Sequence, residues 1–196
     1  MTAEDDGTAL SSGSSPIHGD LQEILLSEKA IRGRIEVLGA AISSEYKENV
    51  PFFLSVLKGS VIFLADLVRA IHIPCEFGFV TISTYQGETQ PSREPETLER
   101  KLPDLAGRHV VLVEDILDSG KTLAYAVKRI REAGAASVKT CVLVAKEGYR
   151  DSVFPEPDYL GFEIPRRFVV GYGLDYRERY RNLRYIGVLK PERIEG

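Results

Sequence analysis

The chain has 196 residues, 43% of them hydrophobic, and a formal net charge of −4. This length and apolar fraction suffice for one domain with a sizeable core, and the slightly acidic charge argues against a general nucleic-acid-binding surface. No apolar run is long enough to span a membrane and the N-terminus carries no hydrophobic signal core, so we expect a cytoplasmic protein. The two cysteines, Cys75 and Cys141, lie in apolar runs and are predicted to be buried thiols.

The first part of the chain separates into a tail and a helix. Residues 1–16 are acidic and then rich in serine and glycine, which is typical of a disordered tail, so we expect a single domain over 17–196. Ser27 is a candidate N-cap for a helix that ends near residue 48. Four apolar residues follow it at helical spacing and predict its buried face: Ile31, Ile35, Leu38 and Ile42.

A buried strand, a small polar turn and a helix are predicted next. The strand covers 51–57, the turn is Lys58-Gly59-Ser60, and the helix covers about 61–71. A further strand is predicted over 75–84. The chain after it is polar up to residue 101, and a loop of this length inside a compact domain is usually functional or mobile.

The most informative stretch covers residues 110–123, in sequence VVLVEDILDSGKTL. Its leading apolar residues predict a strand buried on both faces, and Glu114 and Asp115 follow where that strand should emerge. Apolar residues at helical spacing after the turn 118–122 predict a helix. Backbone N–H groups converge at a turn between a buried strand and a helix, and Gly120 lets the backbone approach a ligand closely. The turn is therefore predicted to bind a phosphate.

Two carboxylates beside a phosphate site indicate a ligand that is more than a phosphate. Sugar hydroxyls donate hydrogen bonds to carboxylates, and Mg²⁺ accepts oxygen ligands from carboxylates and phosphates together, so the residues predict a phosphorylated sugar. A nucleotide-triphosphate loop is disfavoured, because its motif needs glycine where this chain has Asp115. An acidic turn that binds no ligand is the other alternative.

The string EDILDSGKT resembles the phosphoribosyl-pyrophosphate (PRPP) signature of type I phosphoribosyltransferases, in the form of their hypoxanthine-guanine branch. The segment 158–176 also resembles that branch. The alternation of strands and helices by itself predicts an open, mostly parallel α/β sheet. The resemblance implies the same sheet flanked by helices, a mobile lid over about 84–101, and a small hood from about 17–30 and 160–196.

The resemblance also implies roles for individual residues. The implied PRPP-binding residues are the acidic pair and the residues of the turn: Glu114, Asp115, Asp118, Ser119, Gly120, Lys121 and Thr122. The implied pyrophosphate-binding residues belong to two loops and include one arginine: Leu57, Lys58, Gly59, Thr84, Tyr85 and Arg181. The family carries a Ser-Tyr pair in its lid, and Thr84 keeps the hydroxyl of that serine. A cis peptide bond between Leu57 and Lys58 is implied as well.

For the purine, the resemblance implies contacts from five residues: Ile116, Lys146, Phe168, Val169 and Asp175. Phe168 would stack on the base, the Val169 carbonyl would meet the base edge, and Lys146 would donate to the 6-oxo oxygen. The implied catalytic residues are Asp118, as general base near purine N7, together with Lys146 and the lid residue Tyr85.

The implied reaction transfers 5-phosphoribosyl from PRPP to N9 of hypoxanthine or guanine, giving IMP or GMP and pyrophosphate in purine salvage. Mg²⁺ is the implied cofactor, held by Asp175, with Glu114 and Asp115 as further candidate ligands. The expected partners are PRPP, hypoxanthine and guanine, and the residues do not rank xanthine against them. We expect a homodimer or homotetramer that binds neither nucleic acid nor a membrane.

Three other functions stay open. A pyrimidine-type PRPP-binding RNA regulator with weak or no transferase activity shares the signature, although it should expose a basic surface that a net charge of −4 does not favour. A phosphoryl-transfer enzyme is disfavoured by Asp115. A PRPP-sensing binding protein without catalysis would not need Asp118 and Lys146.

Overall fold

The computed structural model describes residues 18–83, 97–98, 102–149, 153–154 and 156–194. After a 3-10 turn at His18–Asp20, the strands are β1 (Leu21–Leu26), β2 (Pro51–Leu57), β3 (Glu76–Ser83), β4 (Thr97–Leu98), β5 (His109–Leu117), β6 (Ser137–Lys146), β7 (Tyr159–Ile164), β8 (Val169–Val170) and β9 (Ile186–Leu189). The helices are α1 (Glu28–Glu45), α2 (Val61–Arg69), α3 (Lys121–Glu132) and α4 (Pro191–Ile194). The predicted tail and most of the predicted lid lie outside the described residues.

Among the described residues, six strands form the main sheet, in the order β4-β3-β2-β5-β6-β7. Neighbours among β3, β2, β5, β6 and β7 are parallel, and the short β4 pairs antiparallel with β3 at one edge. Ser55 in β2 lies opposite Val113 in β5, and Val113 lies opposite Cys141 in β6. The predicted open, mostly parallel α/β sheet is confirmed.

The central strands are apolar on both faces because helices cover both faces. Phe53 and Val111 pack on one face with the buried residues of α1 and α2. Phe52 and Leu112 pack on the other face with the buried residues of α3. Each side chain of this size stabilises the fold by roughly 1.5–3 kcal/mol when it is buried. The sheet is therefore a rigid support for the loops at its edge.

Helix α1 begins as predicted and ends earlier than predicted. The Ser27 side chain caps it by accepting a hydrogen bond from Ala30 N at 3.2 Å. The helix ends at Glu45 rather than near residue 48, since Tyr46 leaves helical geometry and the chain must turn before Pro51 opens β2.

Two strands of the main sheet extend further than predicted. β5 continues to Leu117 and therefore contains Glu114 and Asp115, which the sequence predicts beyond its end. The reason is that β6 pairs with it along this whole length, with Ala145 opposite Leu117. For β6, the apolar run over 137–145 predicts a strand that ends just before Lys146, whereas Lys146 is the last residue of that strand.

A second, smaller sheet joins the two ends of the described chain. Its antiparallel order is β1-β9-β8, so one N-terminal strand pairs with two C-terminal strands. Its own small core contains the buried residues Leu21, Val170, Leu183 and Leu189. The predicted hood is confirmed as part of the fold. Among the described residues, no helix is both long enough and apolar enough to cross a membrane.

Candidate active site

The candidate site lies where the strand order of the main sheet reverses. β2 leads to β3 on one side and β5 leads to β6 on the other, so β2 and β5 flank the switch point at which open α/β sheets bind ligands. Lys58 follows β2, Asp118 follows β5, and Lys146 ends β6. Because these strands are parallel neighbours, all three residues lie at the same edge of the sheet.

Glu114 and Asp115 form an acidic pair near the end of β5. Asp115 is 7% exposed and its Oδ1 accepts a hydrogen bond from Ile116 N at 3.0 Å, while Ile116 itself is half-buried. Burial raises the pKa of both carboxyls, and the neighbouring Asp115 helps to raise the pKa of Glu114 well above its ordinary value. Glu114 Oε2 is buried and has no hydrogen-bond partner among the described residues, so it can accept a hydrogen bond from a ligand.

Two glycines let backbone segments stack against the acidic pair. At Gly59, two residues after the end of β2, a Cβ would lie 1.8 Å from Asp115 Oδ2. At Gly173, where φ is +101, a Cβ would lie 2.0 Å from the carbonyl oxygen of Gly59. The peptide bond between Leu57 and Lys58 is cis, as the resemblance implies. The acidic pair, the loop after β2 and the C-terminal segment are therefore in direct contact.

The turn over residues 118–122 leaves the N-terminus of α3 open. Gly120 is the N-cap, in the left-handed region at φ 72, and has no side chain with which to cap the helix. Ser119 Oγ accepts a long hydrogen bond from Lys121 N, at 3.5 Å. Of the other turn residues, Asp118, Ser119 and Lys121 are exposed and Thr122 is half-buried. The other N–H groups in the first turn are left without a side-chain cap, and such groups bind anions, so this geometry suits the predicted phosphate.

Lys146 and Asp118 form an ion pair across the ends of β6 and β5. Lys146 Nζ donates a hydrogen bond to Asp118 Oδ2 at 2.8 Å. The lysine side chain is 19% exposed and the aspartate side chain is 50% exposed. The pair sets a cationic donor beside an anionic acceptor, so one ligand can contact both.

Phe168 and Val169 enter the site from the segment that leads into the hood. β7 ends at Ile164, which pairs with Lys146, so the chain that carries Phe168 starts beside that lysine. Phe168 is 40% exposed and packs edge-to-face on Tyr176, with ring centroids 5.5 Å apart. Val169 is buried in the edge strand β8, at a position where its carbonyl points away from β9. An exposed ring and an outward-facing carbonyl are thus adjacent in the chain.

Arg181 connects the C-terminal segment to the acidic residues. One of its amino groups lies 2.9 Å from Asp175 Oδ1, and the other donates to the Gly173 carbonyl at 2.8 Å. Burial still raises the pKa of Asp115 above its ordinary value, and the charge of Arg181 offsets only part of that rise. Arg181 Nε is buried and has no hydrogen-bond partner among the described residues, so the guanidinium keeps one donor for a ligand.

Two residues near Arg181, Glu178 and Gly173, were not predicted from the sequence as site residues. Glu178 accepts a hydrogen bond from Lys58 Nζ at 3.2 Å and lies 3.4 Å from an Arg181 amino nitrogen. No local pattern distinguishes this glutamate from its charged neighbours in the chain. Gly173 did carry a signal, since a Gly-x-Gly string outside a dinucleotide fold often marks close backbone approach. Thr84 and Tyr85 lie outside the described residues.

The donors near the acidic pair are of the type that Mg²⁺ prefers. No group of three or more metal-ligating side chains is formed within the parts of the chain that the structure describes. Asp175 is already paired with Arg181, whereas the unpartnered Oε2 of Glu114 is an available oxygen donor. Mg²⁺ often takes one or two carboxylates and completes its shell with phosphate oxygens and water. The residues present therefore fit a magnesium ion that arrives with a phosphorylated ligand.

Comparison with known protein families gives one match over most of the chain. The family model described as "Phosphoribosyl transferase domain" matches residues 21–177. The bifunctional protein TilS/HprT of Listeria innocua is 43% identical over 180 residues, which is 92% of this chain. The chain spans only 28% of the length of that relative. The hypoxanthine-guanine phosphoribosyltransferase of Bacillus subtilis is 43% identical over 177 residues, which is 90% of this chain and 98% of that protein.

Solved structures are similar over the same region. A hypoxanthine phosphoribosyltransferase from Staphylococcus aureus superposes with a TM-score of 0.82 at 37% identity, covering 92% of this chain and 97% of that one. A hypoxanthine phosphoribosyltransferase from Trypanosoma cruzi superposes with a TM-score of 0.81 at 38% identity, covering 89% and 94%. The overall fold described above is therefore shared with these solved structures.

Proposed function

Because the chain belongs to the phosphoribosyl transferase domain family, we propose that it transfers 5-phosphoribosyl from PRPP to N9 of hypoxanthine or guanine. The bond between ribose C1 and a pyrophosphate oxygen breaks, and its electron pair leaves with pyrophosphate. Purine N9 forms the new bond to C1, and the purine loses a proton. The products are IMP or GMP and pyrophosphate, so the protein acts as a purine salvage enzyme.

The ion pair of Lys146 with Asp118 is the observation that carries this proposal. A 6-oxopurine presents N7 and O6 side by side on one edge. With a proton on N7, that edge offers one donor and one acceptor, which complement the 2.8 Å pair. Asp118 takes the proton from N7, and Lys146 donates to O6. Adenine carries an amino donor at position 6 and would set it against the lysine donor, so the pair favours 6-oxopurines.

The acidic pair and the turn after it suit the ribose and its 5′-phosphate. Glu114 Oε2, buried and unpartnered among the described residues, accepts from a ribose hydroxyl, and Asp115 takes the neighbouring hydroxyl. The open N-terminus of α3 holds the phosphate through backbone N–H groups, with Ser119, Lys121 and the Thr122 hydroxyl around it. Fixing both ends of the ribose orients C1 for attack.

The purine lies between the Lys146 and Asp118 pair and the hood. Phe168 stacks on the base, and its edge-to-face contact with Tyr176 keeps the ring oriented. The Val169 carbonyl points from the open edge of β8 and accepts from the purine edge. Ile116 adds an apolar contact beneath the base.

The leaving pyrophosphate is bound by cations from two loops. Lys58 and the backbone of Gly59, after Leu57, approach it from β2, and Arg181 approaches it from the C-terminal segment. Positive charge here stabilises the transition state, because negative charge grows on pyrophosphate as the C1 bond breaks. Asp175, with Glu114 and Asp115, would hold Mg²⁺, which when bound neutralises part of that same charge.

The proposal also covers the extent of the catalytic unit, its location and its assembly. The catalytic unit covers 17–196, and a lid over about 84–101, with Thr84 and the catalytic Tyr85, closes over the reaction centre and excludes water. A cytoplasmic location is supported by Cys75 and Cys141, which are free thiols. A homodimer or homotetramer is supported by the exposed ring of Phe77, because large exposed apolar side chains are often covered in assemblies.

The proposal is tested by offering five bases in parallel with PRPP and Mg²⁺. Hypoxanthine, guanine, xanthine, adenine and uracil are supplied at equal concentration, and nucleotide formation is followed by chromatography. We expect turnover with hypoxanthine and guanine and none with adenine or uracil. Turnover with uracil would favour the pyrimidine-type regulator. PRPP binding without any turnover would favour a sensor, and both results would reject the proposed function.

A further inference from the structure

Glu178 lies between the two cations that the proposed function assigns to pyrophosphate. Its Oε2 accepts a hydrogen bond from Lys58 Nζ at 3.2 Å, and its Oε1 lies 3.4 Å from an Arg181 amino nitrogen. Each oxygen of one carboxylate thus contacts a different cation. The side chains of Lys58 and Glu178 are 68% and 65% exposed, so this bridge stands in solvent at the mouth of the site.

The backbone presents this carboxylate from a tight turn. Tyr176 and Arg179 exchange both backbone hydrogen bonds, at 3.2 and 3.0 Å, and leave Arg177 and Glu178 as the two central residues. Both have positive φ, 52 and 64, which defines a turn of type I′. Glycine, asparagine and aspartate are the residues favoured there, and glutamate is not. The Glu178 N–H also donates to Asp175 Oδ2 at 2.9 Å, so the turn is tied to the site.

The charges in this network cancel before a ligand arrives. Lys58 and Arg181 carry two positive charges, and Asp175 and Glu178 carry two negative charges. The hydrogen bond from Lys58, followed by the charge of Arg181, lowers the pKa of Glu178, so this carboxylate is ionised at neutral pH. An incoming pyrophosphate therefore meets no net positive charge from these four groups until Glu178 moves away.

The two cations are held differently once Glu178 is gone. Arg181 keeps its contacts with Asp175 and the Gly173 carbonyl, so its guanidinium stays oriented. Lys58 has no ion-pair partner other than Glu178 among the described residues, so it becomes free to turn toward a ligand. Displacement of one exposed carboxylate thus converts a neutral network into a site for a polyanion.

We propose that Glu178 is an internal competitor of pyrophosphate: it occupies Lys58 and Arg181 in the unliganded protein, weakens pyrophosphate binding and speeds its release. This inference rests on the proposed function, since it needs pyrophosphate as a product. The carboxylate takes no part in bond breaking. It acts through the two cations, because it occupies donors of Lys58 and Arg181 that pyrophosphate would otherwise contact.

Glu178→Gln tests the inference, because it removes the charge and keeps the side-chain size. We expect pyrophosphate to bind roughly two- to thirty-fold more tightly, the range for loss of two exposed ion pairs. Direct binding is measured by titration calorimetry with pyrophosphate and Mg²⁺, and product inhibition is measured against PRPP. The KM for hypoxanthine should not change, and kcat should fall where pyrophosphate release limits turnover. The gain in affinity should shrink as ionic strength rises.

Two further variants separate charge from backbone effects. Glu178→Gly removes the carboxylate and accepts positive φ without strain, so it should tighten pyrophosphate binding as much as glutamine does. Glu132→Gln makes the same charge change at the last residue of α3, where the carboxylate pairs with Arg129 rather than with Lys58 or Arg181, and should leave pyrophosphate affinity unchanged. Tightening in the glycine variant alone would assign the effect to the turn and overturn the inference.

The inference and the proposed function fail in different ways. Wild-type turnover with an unchanged pyrophosphate affinity in Glu178→Gln would overturn only the role of Glu178. A wild-type protein that binds neither PRPP nor pyrophosphate in the presence of Mg²⁺ would reject the proposed function, and the competitor role with it.

Discussion

The α-carbon of Gly59 faces the carboxylate of Asp115 so closely that a Cβ at position 59 would lie 1.8 Å from Asp115 Oδ2. Asp115 is buried inside β5 and cannot move aside without disturbing the strand. The loop that carries Lys58 is thereby held directly against the acidic pair. One glycine couples the proposed pyrophosphate site to the proposed ribose site.

We expect Gly59→Ala to destabilise the protein and to weaken PRPP binding. The added methyl group overpacks a filled contact, which typically costs roughly 1–3 kcal/mol of unfolding free energy. Chemical denaturation measures the stability, and titration calorimetry measures PRPP affinity. Gly33→Ala is the matched control, because Gly33 lies exposed in α1 with nothing within 4 Å of its Cβ position. That variant should gain about 0.5–1 kcal/mol from helix propensity and keep its PRPP affinity.

Asp118→Asn should slow turnover while PRPP still binds. Asparagine keeps an acceptor oxygen for the Lys146 ammonium, but it cannot take a proton from purine N7. General-base catalysis is typically worth ~10²–10⁴-fold, so kcat should fall by about that factor. Steady-state kinetics and equilibrium PRPP binding measure the two effects. Glu132→Gln makes the same charge change at the far end of α3 and should leave kcat unchanged, and a normal kcat in Asp118→Asn would exclude the base role.

Lys146→Ala should raise the KM for hypoxanthine and narrow the discrimination against adenine. A hydrogen bond from a charged donor is worth roughly 1.5–3 kcal/mol, which corresponds to about 10- to 150-fold in affinity. Competition between hypoxanthine and adenine for the same PRPP pool measures both changes. Lys128→Ala, at an exposed position of α3, is the control. If the hypoxanthine KM stayed at its wild-type value, Lys146 would not be the donor to O6.

Glu114→Gln should stabilise the unliganded protein at neutral pH and weaken PRPP binding at the same time. Burial raises the pKa of Glu114 well above its ordinary value of 4.5. The unfolded chain therefore releases this proton first, and wild-type stability falls as pH rises from 4.5 through the higher folded pKa. Glutamine does not ionise, so the variant escapes that loss, but it no longer offers a buried carboxylate oxygen to the ribose.

Denaturation at several pH values tests whether the stability advantage of Glu114→Gln over the wild type grows with rising pH. The advantage of Glu114→Gln should grow between pH 4.5 and the folded pKa, and it should be independent of pH below 4.5. Glu36→Gln, an exposed position in α1, should show no such growth. An advantage that shrank with rising pH would mean that the carboxyl is stabilised in its charged form, and the acidic-pair interpretation would then be wrong.

Local patterns in the sequence were enough to determine the fold class and the main candidates for the site. The Ser27 cap, the alternation of buried strands with helices, and the turn at Gly120 each depend on residues close in sequence, where periodicity and turn chemistry are visible. The positions of Lys58, Asp118 and Lys146 at strand ends also follow from that alternation. A parallel sheet then brings strand ends to one edge, so their proximity was predictable as well.

Only the tertiary structure decided the contacts between distant segments. The pairing of β1 with β9 is one example, because short strands with no periodic pattern become strands through the partner they meet. The extension of β5 past Glu114 is another, since β6 supplies the ladder that continues it. Glu178 contacts Lys58 across 120 residues of chain, and no local signal marks a surface glutamate for such a contact. Contacts between distant segments depend on how the whole backbone folds in three dimensions. Local sequence patterns do not specify that arrangement, so these contacts could not be predicted from them.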